Sequence, residues 1–178
     1  MRLLADLLDN EYPYTEIKRV RVVVRAIVMD ENGNIALHHI CGNEPDAFGL
    51  RDYYETPGGG ADDGEDLLVA LKRECREELG YEIDVIAEVG EVDDYYNLLF
   101  RKNLNHYYLC RRKGPFLGTH FVSRGDSLIH DTVWVPLEEA MRLYENHRDE
   151  KLARLVHNRE YPVLLETRNI LKNLSKAD

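Results

Sequence analysis

The stretch from Gly59 to Tyr81, GGADDGEDLLVALKRECREELGY, constrains this chain more than any other. Its middle reads as a helix. Asp66 is placed to cap the N-terminus, Leu67, Leu68, Leu71, Cys75 and Leu79 form an apolar face, and Gly80 sits where a C-terminal stop belongs. On that helix Glu74, Glu77 and Glu78 crowd one face, because positions three and four apart are neighbours. Each like-charge pair at this spacing costs roughly 0.2–0.5 kcal/mol, and a helix C-terminus disfavours negative charge further. A solvated face carries lysine at lower cost. Hard oxygen donors converging on one point are what Mg²⁺ or Mn²⁺ binds. Taken alone, the helix is equally compatible with a charged surface and chance clustering. Arg73 is within reach of Glu77 across one turn, or of Glu65 before the helix.

The spacing extends beyond the helix. Gly59 is followed after five residues by Glu65, then after seven by Arg73-Glu74, a bulky residue, any residue, Glu77-Glu78, any residue, Gly80 and a bulky residue. This resembles the signature of the Nudix (MutT-like) hydrolases. Cys75 and Tyr81 fill bulky slots that usually hold Ile, Leu or Val, and both still pack as apolar residues. The resemblance implies an α/β Nudix fold, with a mixed β-sheet sandwiched between α-helices. It implies metal-dependent hydrolysis of a nucleoside diphosphate linked to another moiety, either a nucleoside triphosphate or a nucleoside-diphosphate sugar such as ADP-ribose, releasing a nucleoside monophosphate. Glu77 and Glu78 match the family's strongest Mg²⁺ or Mn²⁺ ligands, and Glu74 matches a residue that binds metal or serves as base. Arg73 and Glu65 match a pair that orients the carboxylates. A backbone carbonyl at Gly58 or Gly59 matches a further metal ligand. The alternative is a non-catalytic Nudix-like nucleotide-sensing module. Such modules commonly lose signature glutamates, and here all are present.

The 178 residues suit a single domain, with an arm over 1–18, a Nudix core over 19–147 and C-terminal helices over 148–178. The helical tail exceeds the minimal family pattern. Its simplest role is to pack on the sheet or on a second subunit, which keeps a homodimer open. The net charge of −10 argues against a nucleic-acid duplex as partner. A small phosphorylated nucleotide stays compatible, because a bound divalent cation inverts the local field. No apolar run approaches the ~20 residues of a membrane span, and the opening MRLLADLLDNEYPY is too short and too acidic for a signal peptide. Three scattered cysteines read as buried free thiols, pointing to the cytoplasm.

Along the chain, residues 2–9 read as a short amphipathic helix and 20–29 as a β-branched strand. Asn32-Gly33 marks a hairpin into a strand over 34–40. Residues 41–50 read as a loop, 52–56 as a short strand running into a glycine turn, 82–92 as extended chain, and 104–111 and 132–135 as strands. A helix opens at Pro136, and two more are expected over 148–157 and 161–174, with Pro162 in the first turn of the second. The long segment 113–131 is expected to border the substrate pocket. His39, Arg51 and Tyr54 are the candidate substrate contacts; alternation sends His38 and His39 to opposite faces. Asp131, then Asp126, Asp93 and Asp94, are candidates for one further acid.

Overall fold

The computed structural model describes residues 1–42, 44–122 and 126–176. Its spine is β2 (Arg19–Met29), whose run of Val and Ile favours a pleated strand. Its alternation sets the layers. Val24, Ala26 and Val28 pack with Ala70, Leu71 and Cys75 of α1 (Leu67–Glu78). Ile27 and Met29 face the other way, onto Tyr144 of α2 (Leu137–Asn146) and Val163 and Leu164 of α3 (Lys151–Leu174). The sheet is therefore held between α1 on one face and α2 with α3 on the other.

Strand β1 (Leu3–Leu7) pairs in parallel with β6 (Glu82–Tyr96), which runs antiparallel to β7 (Arg101–Lys113). Strand β7 lies parallel to β2 along its whole length. The sheet continues through β3 (Ile35–Cys41) to β4 (Asp52–Glu55), with β8 (Ile129–Val135) also on β3 and the short β5 (Gly58–Gly60) on β2. It is a mixed sheet, and the class is α/β. Strands β2 and β3 pair at Met29 and Ile35, beside their turn. Beyond that point β2 takes β5 as its partner, while β3 takes β4 and β8. The strands part there, and a cleft opens between them.

Three elements differ from the sequence reading. Residues 3–7 form a strand, not a helix. A segment this short gains little from helix formation on its own. The open edge of β6 offers backbone partners instead, and Leu4 lies over Gly90, where a methyl group would sit 2.5 Å from Leu4 Cγ. The glycine run continues past its turn as β5. The two expected C-terminal helices are one, with Pro162 inside it. A proline there cannot donate to the carbonyl four residues back and costs ~3 kcal/mol or more in a helix interior. Packing on both sides overrides that cost: Arg159, Glu160, Val163 and Leu164 are all buried.

The Glu160 carboxylate is fully buried, and Arg25 on β2 is buried beside it. It accepts from Thr56 N (2.8 Å), Thr56 Oγ1 (3.0 Å), Tyr107 OH (3.3 Å), Tyr144 OH and Arg159 Nη2 (2.9 Å). Arg25 Nη1 lies 3.5 Å away. Removing one partner of a buried ion pair leaves the other charge uncompensated. Glu160→Gln is therefore expected to lower unfolding free energy by roughly 3–5 kcal/mol, read from urea denaturation. A loss under about 1 kcal/mol, the range of an ordinary hydrogen bond, would show that this carboxylate is no anchor.

Candidate active site

Helix α1 starts as its sequence dictates. Asp66 Oδ1 accepts from Leu68 N and Val69 N, and Gly80 ends the helix with φ 71°. Past it, Leu117 N and His120 N donate to the carbonyls of Gly80 and Glu77, and Arg76 donates to Gly118 O. The first half of the long segment therefore caps this helix. Ser127 and Leu128, in its second half, border the cleft; residues 123–125 lie outside the described ones.

Arg73 is the hub of the signature. It donates through Nε and Nη2 to the two oxygens of Glu65 (3.0 and 2.8 Å), through Nη1 to Glu74 Oε1 (2.7 Å), and through Nη2 to Gly60 O (3.1 Å). Of the two partners within its reach, Glu65 takes the bidentate bond, and Glu77 stands 3.6 Å off. These hydrogen bonds, with a further one from Asp62 N, hold the Glu65 carboxyl down at about 2. The pair locks the helix to the loop before it and aims the Glu74 side chain.

Glu74 and Glu78 are both buried and both line the cleft. Glu74 lies against Gly59, where a Cβ would meet the carboxyl at 2.5–2.8 Å. Only glycine admits the carboxylate at that spot. Glu78 Oε2 accepts from Gly58 N (2.8 Å) and contacts His38 Nε2 (3.2 Å), while His38 Nδ1 contacts Thr132 Oγ1 (2.8 Å). A ring carrying its proton on Nε2 satisfies both contacts. Burial, reinforced by the charges of Glu78 and Glu77 against the Arg73 hydrogen bond, pushes the Glu74 carboxyl up to about 6. Among the described residues no protein donor reaches Glu74 Oε2 or Glu78 Oε1. Two free hard oxygens on neighbouring carboxylates, one of them short of positive charge, fit a divalent cation. Glu77 is half-buried and does not line the cleft.

The cleft encloses about 870 Å³ where β2 and β3 part. Of the three candidate substrate contacts, only Arg51 lines it, paired to Asp46 and lying over the Phe48 ring. His39 and Tyr54 are elsewhere, stacked on each other at 4.8 Å, with His39 bonded to Asp52 (2.7 Å) and 3.3 Å from Asp131. The residues that do reach the site are their chain neighbours, His38 at Glu78 and Tyr53 in the cleft wall. Alternation could have found His38, since it shares the face of Ala36 that packs on α1. Asp131, Asp93 and Asp94 are not among the lining residues, and the Asp126 side chain lies outside the described ones.

A profile of the NUDIX domain matches residues 19–156. The chain belongs to the Nudix family. With its signature carboxylates intact, it is a Nudix pyrophosphohydrolase. Among solved structures it resembles a Nudix hydrolase from Nitrosomonas europaea (TM-score 0.59, 19% identity, covering 81% of this chain and 88% of that one). It also resembles a MutT protein from Methanosarcina mazei Go1 (0.58, 18%, 87% and 98%). A UDP-X diphosphatase shares the fold as well (0.56, 16%, 90% and 67%). No curated protein matches the chain. No helix among the described residues is long and apolar enough to cross a membrane.

The raised Glu74 carboxyl has a measurable consequence. It binds its proton more tightly folded than unfolded, so stability falls as pH rises from its ordinary 4.5 through about 6. Without divalent cations, Glu74→Gln keeps an acceptor for Arg73 and removes that loss. It is expected to exceed wild type by about 2 kcal/mol at pH 8 and to show no such gain near pH 4. Thermal unfolding in EDTA across that range is the measurement; an equal offset at both ends would contradict it.

Proposed function

We propose that this Nudix enzyme hydrolyses a nucleoside diphosphate linked to another moiety, a nucleoside triphosphate or a nucleoside-diphosphate sugar, and releases a nucleoside monophosphate. The observation that carries this reading is the pair of buried carboxylates, Glu74 and Glu78, each with an oxygen that no donor among the described residues reaches, at the wall of a nucleotide-sized cleft. Glu74 and Glu78 at the cleft wall, with the Gly58 carbonyl, are the residues that would hold Mg²⁺ or Mn²⁺; the signature also assigns Glu77, which stands 3.6 Å from Arg73 and outside the cleft lining. Such an ion, when bound, neutralises diphosphate charge and lowers the pKa of water.

The chain's own residues do the rest. Arg73, fixed by Glu65, holds Glu74 Oε1 and leaves Oε2 as the oxygen that would face the cation. His38 and the Gly58 N–H fix Glu78. At one end the cleft wall is apolar and aromatic, with Ile40, Phe48, Tyr53, Leu128, Leu152 and Val156. That end suits a nucleobase, with the Arg51 guanidinium beside it.

The test is a panel of nucleoside triphosphates, ADP-ribose, other nucleotide sugars and dinucleoside polyphosphates with Mg²⁺, with products separated. Turnover is expected to need the cation, vanish in EDTA and yield a monophosphate. Glu78→Gln is expected to lower kcat at least about 100-fold while melting close to wild type, because the amide oxygen still accepts from Gly58. Release of inorganic phosphate alone, or full activity in EDTA, would overturn the reading.

A further inference from the structure

One wall of the cleft carries charge that the hydrolytic reading does not use. Arg19 and Arg21 stand on β2 and Arg101 on β7, and all three line the cleft. The parallel register sets Arg19 opposite Arg101 and Arg21 opposite Asn103, so the guanidinium groups share one face of the sheet. Among the described residues none of the three makes an ion pair or a side-chain hydrogen bond. The acids that act on them are engaged elsewhere: Glu74 with Arg73, Glu55 with Arg25 and Arg159, and Asp94 with Asn103, Asn105 and Arg159. Arg101 leans over the Tyr96 ring at 5.7 Å, and its buried Nε has no partner. Burial and then the charge of Arg21 push Arg101 down to about 10, while burial and then Arg25 lower Arg21. A chain with a net charge of −10 thus keeps cations together, uncompensated, in its cleft.

Their position relative to the carboxylates is fixed by two adjacent glycines. Gly59 seats Glu74, and at Gly60 a Cβ would lie 2.5 Å from Arg21 Nη2. Neighbouring positions on a strand face opposite ways, so the arginine wall and the carboxylate pair flank β5 and line the same cleft. A diphosphate spanning the carboxylate-held cation would use its own charge there. In a nucleotide sugar the next group along is a neutral sugar, which leaves crowded guanidinium groups facing no anion. In a longer phosphate chain the next group is another phosphate, the anion that arginine binds best.

We propose that Arg19, Arg21 and Arg101 bind the phosphates beyond the scissile diphosphate, so that the substrate carries a polyphosphate chain longer than a diphosphate. This rests on the hydrolytic reading above and names its substrate class. The chemistry is shared by nucleoside triphosphates, dinucleoside polyphosphates and polyphosphates without a nucleoside, and the experiment separates them.

Inorganic triphosphate is titrated calorimetrically in EDTA into wild type, Arg21→Gln and Arg101→Gln, with thermal unfolding to confirm that each is folded. Binding is expected in wild type, weakening as salt is added, and falling at least about tenfold in each variant. In parallel, kcat/KM is measured with Mg²⁺ on a nucleoside triphosphate, a dinucleoside tetraphosphate and ADP-ribose. Wild type is expected to favour one of the two polyphosphates, and each variant to lose at least about tenfold more on it than on ADP-ribose. Triphosphate bound equally by wild type and both variants, or a wild-type preference for ADP-ribose, would overturn the proposal. Arginine-dependent triphosphate binding with no turnover of any nucleotide would defeat the hydrolytic reading and uphold the anion site. Turnover of polyphosphates lacking a nucleoside, at a rate matching the nucleotides, would keep the arginine wall and move the nucleobase out of the recognition.

Discussion

The active-site architecture depends on one buried carboxylate that takes no part in the chemistry. Glu160 on α3 receives the backbone N–H and the hydroxyl of Thr56, two residues before Gly58. Gly58 in turn gives its N–H to Glu78 on α1. Hydrogen bonds at both ends of this short stretch thus tie the C-terminal helix, through the strand end, to α1 on the opposite face. A charge this deep is tolerable only because Arg25, Arg159, two tyrosines and Thr56 surround it. The same contacts explain why α3 continues through Pro162: the turn that the proline weakens is the turn that carries Arg159 and Glu160.

Glu74 is the opposite case. It is as buried as a core residue, yet it has one arginine and faces two more acids across the helix. Glu160 and Glu74 are the same residue type at similar depth; one is saturated with donors and the other is left short. Stability alone favours the first arrangement. The second is the arrangement of a site that holds coordination open for a ligand, which is the cation in the function proposed above.

Much of this was legible in the sequence. The helix behind its Asp66 cap and the strand expected over 20–29 follow from local pattern, and the structure has them as 67–78 and 19–29; local pattern left Arg73 open between Glu65 and Glu77, and the family resemblance pointed to the Glu65 pair that forms. What the sequence hid was non-local. Leu3, Leu4, Leu7 and Leu8 fit a helical face as well as a strand edge; Gly90, distant in sequence, leaves the space that decides it. The choice between His38 and His39 turns on which face of β3 meets α1, a fact of packing rather than of spacing. Residues 19, 21 and 101 form one wall only because β2 and β7 lie in parallel with a given register, which nothing near either strand announces.

The arginines of the cleft sort by their partners. Arg25 and Arg159 are answered by Glu55 and Glu160, and Arg51 by Asp46. These hold strands, helix and loop in place, and each would lose its buried or bidentate partner if a ligand drew it away. Among the described residues Arg19, Arg21 and Arg101 have no anionic partner to give up, and Arg101 leans only on the Tyr96 ring. A phosphate approaching the cleft gains most from cations that need not break an existing pair, because the desolvation of those groups is already part of the folded state. The answered arginines therefore form the frame and the unanswered ones the recognition surface. The net charge of −10 sharpens the contrast, since on balance the chain repels anions.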